Sequence, residues 1–345
     1  MRAALFRSHG GPEVLELAEV PDPQAGPGEV EVRVTAVALN HIDLLLRRGL
    51  PALKVALPHV SGGDVCGQIA ALGASVRGVA VGDRVLLNPG VSCGRCPACL
   101  SGRDNFCPDF ELLGENRWGG CAEKVVVPVA NLVPVPRARV PLDDADLAAL
   151  PISFITAWQM LVERAVVRQG ETVLVLAAGS GVGSAAIQIA KLFGARVIAT
   201  ASTDEKLARA RQLGADEVIN YQGSDLVAEV KRLTGRRGAD VVVEHVGAAT
   251  FAKSVVACAR GGRIVTCGAT DGFEPALNLR HVFWRQLSIL GSTLASKAVL
   301  FQIVSLVATG RLRPIVHRVL PLADVAAAHR LLESRAVFGK VVLAV

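Results

Sequence analysis

Apolar and polar positions alternate along residues 29–40, EVEVRVTAVALN. A period of two places successive side chains on opposite faces, so this stretch predicts a half-buried strand. Two further segments, VGDRVLLNPG at 81–90 and AEKVVVPVANLVPVP at 122–136, are apolar and punctuated by Gly, Pro and Asn. Short strands broken by such residues predict a β-barrel-like N-terminal domain. From about residue 171 the pattern changes. Val173 to Leu176 is an unbroken apolar run, as expected of a strand buried on both faces, and helical spacing follows through Ile187, Ala190 and Lys191. The segments RVIATAS, GADEVINY, GADVVVEHVG, GGRIVTCGA and QLSILGS read as further strands, which makes six parallel strands between about 172 and 291. Near the C-terminus, KAVLFQIVSLVATG places Leu300, Ile303, Val304 and Val307 on one helical face and stops at Gly310. DVAAAHRLLESR reads as another helix, and KVVLAV as a closing strand.

The 345 residues are enough for two domains. Hydrophobic residues make up 51% and charged residues 20%, which excludes a disordered chain. The formal net charge is +6, with basic residues scattered and never in a run of five, so nucleic acid is not an expected partner. The greasy window 173–190 is broken by Gly179, Ser180, Gly181, Gly183, Ser184 and Gln188, so no membrane span is expected. The N-terminal MRAALFRSHGGPEV lacks the apolar core of a secretory signal. The expected location is the cytoplasm.

Half of the eight cysteines, Cys93, Cys96, Cys99 and Cys107, crowd into CGRCPACLSGRDNFC. In a reducing compartment such clustering points to metal and not to disulfides. Thiolates at this spacing, joined by the turn formers Gly94, Pro97, Ser101 and Gly102, suit one tetrahedral zinc. Four protein sulfurs leave no open position for substrate, so this zinc is expected to be structural. The isolated Cys66, Cys121, Cys258 and Cys267 read as small buried hydrophobes.

The strand–turn–helix from residue 172 carries the glycine-rich run Ala178, Gly179, Ser180, Gly181, Val182, Gly183. Small residues there let the backbone approach a pyrophosphate at the helix N-terminus, which predicts dinucleotide binding. An NAD-selective site usually carries an acidic residue at the end of the second strand to bind the ribose hydroxyls. Ala201 takes that place, and Ser202, Lys206 and Tyr221 are positioned to bind a 2′-phosphate. The expected cofactor is therefore NADP(H), with NAD(H) as the alternative.

Taken end to end, the chain resembles the medium-chain dehydrogenase/reductase superfamily, the zinc alcohol dehydrogenase and quinone oxidoreductase group. The cysteine run matches that family's structural zinc motif at all four positions. GEVEVRVTAVALNHIDLLLRRG and LPHVSGGDVCGQIAALG match its N-terminal signatures in outline. The resemblance implies an α/β chain with a GroES-like catalytic domain at 1–152, including a zinc lobe at about 88–112. A Rossmann domain at 153–291 and a C-terminal return at 292–345 complete it. It also implies a homodimer or homotetramer joined at Rossmann sheet edges, for which RQLSILGS is a candidate.

The departures from the family are informative. Its catalytic zinc is held by a Cys, a His and a third Cys or Asp. Here the first place is Asn40 and the second Gly63, followed by Asp64; around the third stand Ile152 and Ser153, with no thiolate. Neither Asn nor Gly offers the donor zinc wants. Without a Lewis acid, a conjugated C=C is a more natural hydride acceptor than a simple alcohol is a donor, because hydrogen bonds can stabilise an enolate. The expected activity is reduction of an enoyl thioester, enone or quinone. Asn40, Asp43 and Thr156 are the expected catalytic residues. By resemblance, His41 and Lys340 lie at the cofactor phosphates. Arg280, His281, Arg285, Lys297, Arg311 and Arg313 are candidates for the phosphates of a coenzyme A thioester. Two other readings stay open: an alcohol dehydrogenase with an atypical metal site using Asp64, His59 or His41, and a non-catalytic nucleotide- or RNA-binding protein on the same fold.

Overall fold

In the computed structural model, which describes residues 1–50 and 55–345, the alternating stretch forms the strand Glu29–Ala38. Val30, Val32 and Val34 are buried, while Glu31, Arg33 and Thr35 are half-buried or exposed. Each fully buried valine contributes roughly 1.5–3 kcal/mol relative to an exposed one. One edge of this strand pairs antiparallel with Asp64–Leu72. The other edge is shared: Lys124–Pro128 takes residues 29–33 and Lys340–Ala344 takes residues 36–38. Arg84–Leu87 and Leu132–Pro134 extend the seven-stranded sheet on one side, and Val316–Pro321 on the other. These strands belong to one compact unit, Met1–Ile152 with Ala295–Val345.

The register of the closing strand decides which residue comes to lie beside Asn40. Val342 stands opposite Ala38, and Leu39 N–H donates to Val341 O at 2.9 Å. Continuing that antiparallel register by two residues brings Lys340 level with Asn40. On the opposite edge Asp64 pairs with Ala38. Three residues distant in sequence thus meet where three strands end or begin.

The second unit, Ser153–Leu294, holds a six-stranded parallel sheet. Its order is Glu217–Asn220, Arg196–Ala201, Thr172–Val175, Ala239–Glu244, Cys258–Thr266 and Ser288–Gly291. Numbered by chain position this is 3-2-1-4-5-6, the doubly wound arrangement, with its switch point beside Thr172–Val175. All four residues of that strand are buried, as the apolar run requires. The greasy window at 173–190 folds as this strand, a turn and the helix Gly181–Leu192. Among the described residues no helix is long and apolar enough to cross a membrane.

One buried polar cluster braces the first unit. The helix Val325–Glu333 carries His329, which is fully buried. Arg47, also buried, faces His329 Nδ1 at 3.4 Å and pairs with Glu333. A guanidinium has donors only, so Nδ1 must present its lone pair and the ring is neutral. Burial first, then the Arg47 charge, holds the imidazole down to about 3, with Glu333 opposing weakly. The unfolded chain takes up this proton below about pH 6.5 and the native chain does not, so the contribution is present above that pH and lost as pH falls. We expect His329→Gln to shrink the drop in Tm between about pH 7 and about pH 4, as read by thermal unfolding. An equal drop in both proteins would place the acid sensitivity elsewhere.

Candidate active site

Asn40 ends the long strand's extension and starts the helix His41–Arg48. Its backbone N–H donates to Asp43 Oδ2 at 2.6 Å, and Gly62 N–H donates to Asp43 Oδ1 at 3.0 Å. Asp43 is therefore the acidic half of a capping box. It is 1% exposed, and burial pushes its carboxyl up to about 6 against the pull of those two N–H groups and of Lys340. The structure moves Asp43 from the catalytic set expected of it to the scaffold, because both oxygens are engaged by backbone. Nor does it pair with Arg47, which turns to Glu333.

The Asn40 side chain points the other way. Its Nδ2 donates to Asp64 Oδ2 at 2.9 Å, and its Oδ1 accepts from Lys340 Nζ. Lys340 Nζ also donates to Asp64 Oδ2 at 2.8 Å. Asp64 Oδ1 accepts from Ile152 N–H at 2.7 Å. Asp64 is fully buried and Lys340 is 4% exposed, so this is an interior ion pair. Such a pair is stable only when the carboxylate's remaining valences are satisfied, and here a backbone N–H and a carboxamide fill those of Asp64. Lys340, expected at the cofactor phosphates, here directs its ammonium inward to Asn40 and Asp64.

A divalent metal does not fit these residues. A Cβ at Gly63 would lie 2.8 Å from the Leu113 carbonyl oxygen and 3.0 Å from Ile152 Cδ1, so the backbone leaves no room for a ligating side chain. Both Asp64 oxygens are engaged. His59 Nε2 donates to Gly114 O at 2.9 Å, and His41 sits on the following helix. Among the described residues, the only group of three or more potential ligands is the cysteine cluster.

In that cluster the Sγ atoms of Cys93, Cys96, Cys99 and Cys107 all lie within 4.8 Å of one another. Cys96 and Cys99 are 3.5 Å apart, and Cys93 and Cys99 4.0 Å. Sulfurs placed about 2.3 Å from one tetrahedral centre are roughly 3.8 Å apart, so the set fits zinc. Gly94 and Gly102 turn the chain at φ +71° and +73°, a region most residues avoid. The lobe is tied to the helix Lys297–Ala308 by Asp104, which accepts from the backbone and the ammonium of Lys297 at 3.1 Å each. Lys297 is thereby removed from the residues expected at a coenzyme A phosphate. Arg285 is removed too: it caps the helix Phe251–Ala257, donating to Val255 O and Val256 O. Cys66, Cys121 and Cys258 are buried as expected, and burial pushes Cys66 and Cys258 up to about 12 and Cys121 upward as well; Cys267, expected to be buried, is partly exposed just past the end of Cys258–Thr266.

In the second unit the glycine turn follows Thr172–Val175. A Cβ at Gly183 would come within 2.4 Å of Ala177 O, so this glycine lets the helix close on the strand. Ala178 is buried and its N–H donates to Thr200 O at 2.9 Å, while Gly179, Ser180, Gly181 and Val182 stay partly exposed. Ser180 caps the helix by accepting from Gly183 N–H at 2.8 Å. The same hydroxyl meets His245 Nε2 at 3.0 Å. Sequence reasoning missed His245; its position just past the end of Ala239–Glu244 was the available signal. The turn fits a dinucleotide: backbone approach is open, and a helix N-terminus faces it. Ser202 is partly exposed at the end of Arg196–Ala201, Lys206 is partly exposed in the first turn of the helix Asp204–Gln212, and Tyr221 is exposed, its N–H donating to Ala201 O at 3.2 Å. Thr156 is buried in the helix Pro151–Trp158. His41 is half-buried, and burial, with Arg335 and Arg48, lowers its proton affinity.

Comparison with known proteins agrees with this architecture. A family model described as alcohol dehydrogenase GroES-like domain matches residues 26–137, and one described as zinc-binding dehydrogenase matches residues 181–309. The acryloyl-coenzyme A reductase of Metallosphaera sedula is 32% identical, over 99% of each chain. The quinone oxidoreductase of Homo sapiens is 30% identical, over 99% of this chain and 97% of its own. The crystal structure of an NAD-dependent alcohol dehydrogenase superposes with a TM-score of 0.96 at 56% identity, over 100% of both chains. With a GroES-like unit, a doubly wound parallel-sheet unit and relatives matched end to end, the chain belongs to the medium-chain dehydrogenase/reductase superfamily of oxidoreductases.

Proposed function

We propose that this oxidoreductase reduces activated C=C bonds with NADPH and without a catalytic metal. Its substrate class is an α,β-unsaturated thioester such as an enoyl-CoA, an enone or a quinone. The observation that carries the reading is the metal position itself: Gly63 has no room for a ligand, and Asp64 is engaged by three donors. A reduced nicotinamide, when bound, would supply hydride chemistry at the β-carbon of such an acceptor. The carbonyl oxygen of the substrate would then carry enolate charge until a proton from solvent is added at the α-carbon. The chain's part is to hold that oxygen's charge with fixed donors in a water-poor setting. Asn40 sits partly exposed at the edge of the Lys340–Asp64 pair; its Nδ2 serves Asp64 Oδ2 and, at 3.4 Å, Ala38 O, so it would meet the reacting group by giving up the longer of these bonds. Within the second unit, the glycine turn and Ser180 would hold a pyrophosphate at the helix N-terminus, Ser202, Lys206 and Tyr221 would hold the 2′-phosphate, and Thr156 is our candidate for the nicotinamide. In the first unit, His41 is our candidate for a phosphate contact. The cysteine cluster holds one structural zinc. The names of the Metallosphaera and human relatives support the class of acceptor.

A second reading has its own support: the solved structure at 56% identity is titled an NAD-dependent alcohol dehydrogenase. Turnover separates the two. We expect the purified protein to oxidise NADPH on addition of acryloyl- or crotonyl-CoA, an enone or a quinone, at a rate unchanged by a chelator that leaves the cysteine-bound metal in place. Alcohol oxidation lost on mild chelation, with no alkene reduction, would overturn the proposal.

Two further outcomes are expected. Elemental analysis should give one zinc per chain, and Cys96→Ser should abolish it and lower Tm, because zinc bound to such ligands stabilises by roughly 10–16 kcal/mol in small domains. Lys206→Ala should raise KM for NADPH about tenfold, the loss of one charge-assisted hydrogen bond of about 1.5 kcal/mol. KM for NADH should stay within about twofold, because NADH lacks the phosphate. Equal effects on both cofactors would remove Lys206 from the phosphate site.

A further inference from the structure

A buried carboxylate at a former metal position needs a counter-charge, and the fold brings one from the far end of the chain. Lys340 Nζ donates to Asn40 Oδ1 and to Asp64 Oδ2. An ammonium carries three donors, so one N–H is left over beyond these two bonds. It belongs to a group 4% exposed, next to the partly exposed Asn40. Asp64 is an anion spoken for by Ile152 N–H, Asn40 Nδ2 and Lys340. Asp43, the other carboxyl facing the cluster, is bound to two backbone N–H groups.

We propose that Lys340 is the fixed cation of this site, standing where the family's divalent metal would supply charge, and that it offers its third N–H to the substrate oxygen that becomes negative. Its bond to Asn40 Oδ1 also pins the carboxamide and polarises its N–H bonds. The inference rests on the metal-free reading of the site. It does not rest on which acceptor is used, since an oxygen gains charge when either a conjugated alkene or a carbonyl is reduced.

The test compares wild type, Lys340→Met and the double variant Lys340→Met/Asp64→Asn, assayed on whichever acceptor the wild type reduces fastest. The single variant strands a buried carboxylate and should unfold at lower temperature. The double variant removes both charges, and Asn40, released from Lys340, can turn its oxygen to the new Asn side chain, so Tm should return toward wild type. In that folded protein we expect kcat to fall by about 100-fold or more, the cost of losing one preorganised donor to an oxyanion. The Kd for NADPH, read by quenching of protein fluorescence, should stay within about twofold, because the proposal places Lys340 at the substrate oxygen and not at the cofactor. A Lys340→Ala/Asp64→Asn protein should regain part of its rate with propylammonium and none with propionamide of similar size. A double variant with wild-type Tm and kcat would show that Lys340 only balances Asp64, and would overturn the proposal. So would a tenfold weaker Kd for NADPH at unchanged kcat, which would return Lys340 to the cofactor phosphates. Failure of the wild type to reduce any alkene, with carbonyl turnover intact, would sink the proposed substrate class and leave the Lys340 measurements interpretable on the carbonyl.

Discussion

The buried pair of Lys340 and Asp64 is the constraint on which the site depends. Taking a carboxylate out of water costs several kcal/mol unless a partner and hydrogen bonds replace the water. Asp64 is fully buried, and it receives an ammonium, a carboxamide N–H and a backbone N–H. Each donor is held by a different part of the fold: the closing strand, the end of the long strand, and the chain at Ile152. Removing any one would leave the others poorly satisfied, so the geometry around Asn40 is over-determined. That rigidity is what electrostatic stabilisation of a reacting oxygen requires, because donors that need not reorganise act at full strength.

Two different answers to the problem of a cation therefore coexist in one unit. The cysteine lobe offers four soft thiolates on turns, a cage that has little core of its own and suits an ion from solution. The Asn40 region offers hard oxygen acceptors to a cation that is covalently part of the chain. An ion held by the first could be removed by a chelator; the cation of the second could not. The lobe is anchored to the C-terminal part by the Asp104–Lys297 pair, so its order bears on the helix Lys297–Ala308 more directly than on Asn40.

Much of this was legible in the residue pattern, for physical reasons. Periods of two and runs of buried apolar residues are local properties, so Glu29–Ala38 and Thr172–Val175 could be anticipated. The cysteine spacing is local as well, and the four sulfurs do converge. What escaped was set by register and by close approach. Lys340 reads as a surface or phosphate-binding residue until its strand is placed beside residues 36–38, 300 positions from Asn40. That Gly63 excludes a side chain depends on the Leu113 carbonyl, which no spacing rule predicts. His245 meets Ser180 only because the first and fourth strands of the parallel sheet are neighbours.

The divided edge of Glu29–Ala38 has a consequence for biosynthesis. Its first half is covered by a strand made early, Lys124–Pro128, and its second half waits for Lys340–Ala344. The intervening unit, Ser153–Leu294, is one continuous piece of chain, whereas the unit that holds Asp64 needs both ends. Until the closing strand docks, Asp64 lacks its ammonium, and water must serve in its place. Without Lys340–Ala344, residues 36–38 would keep an open strand edge and Asp64 would lack its charged partner, so one short strand closes both gaps at once.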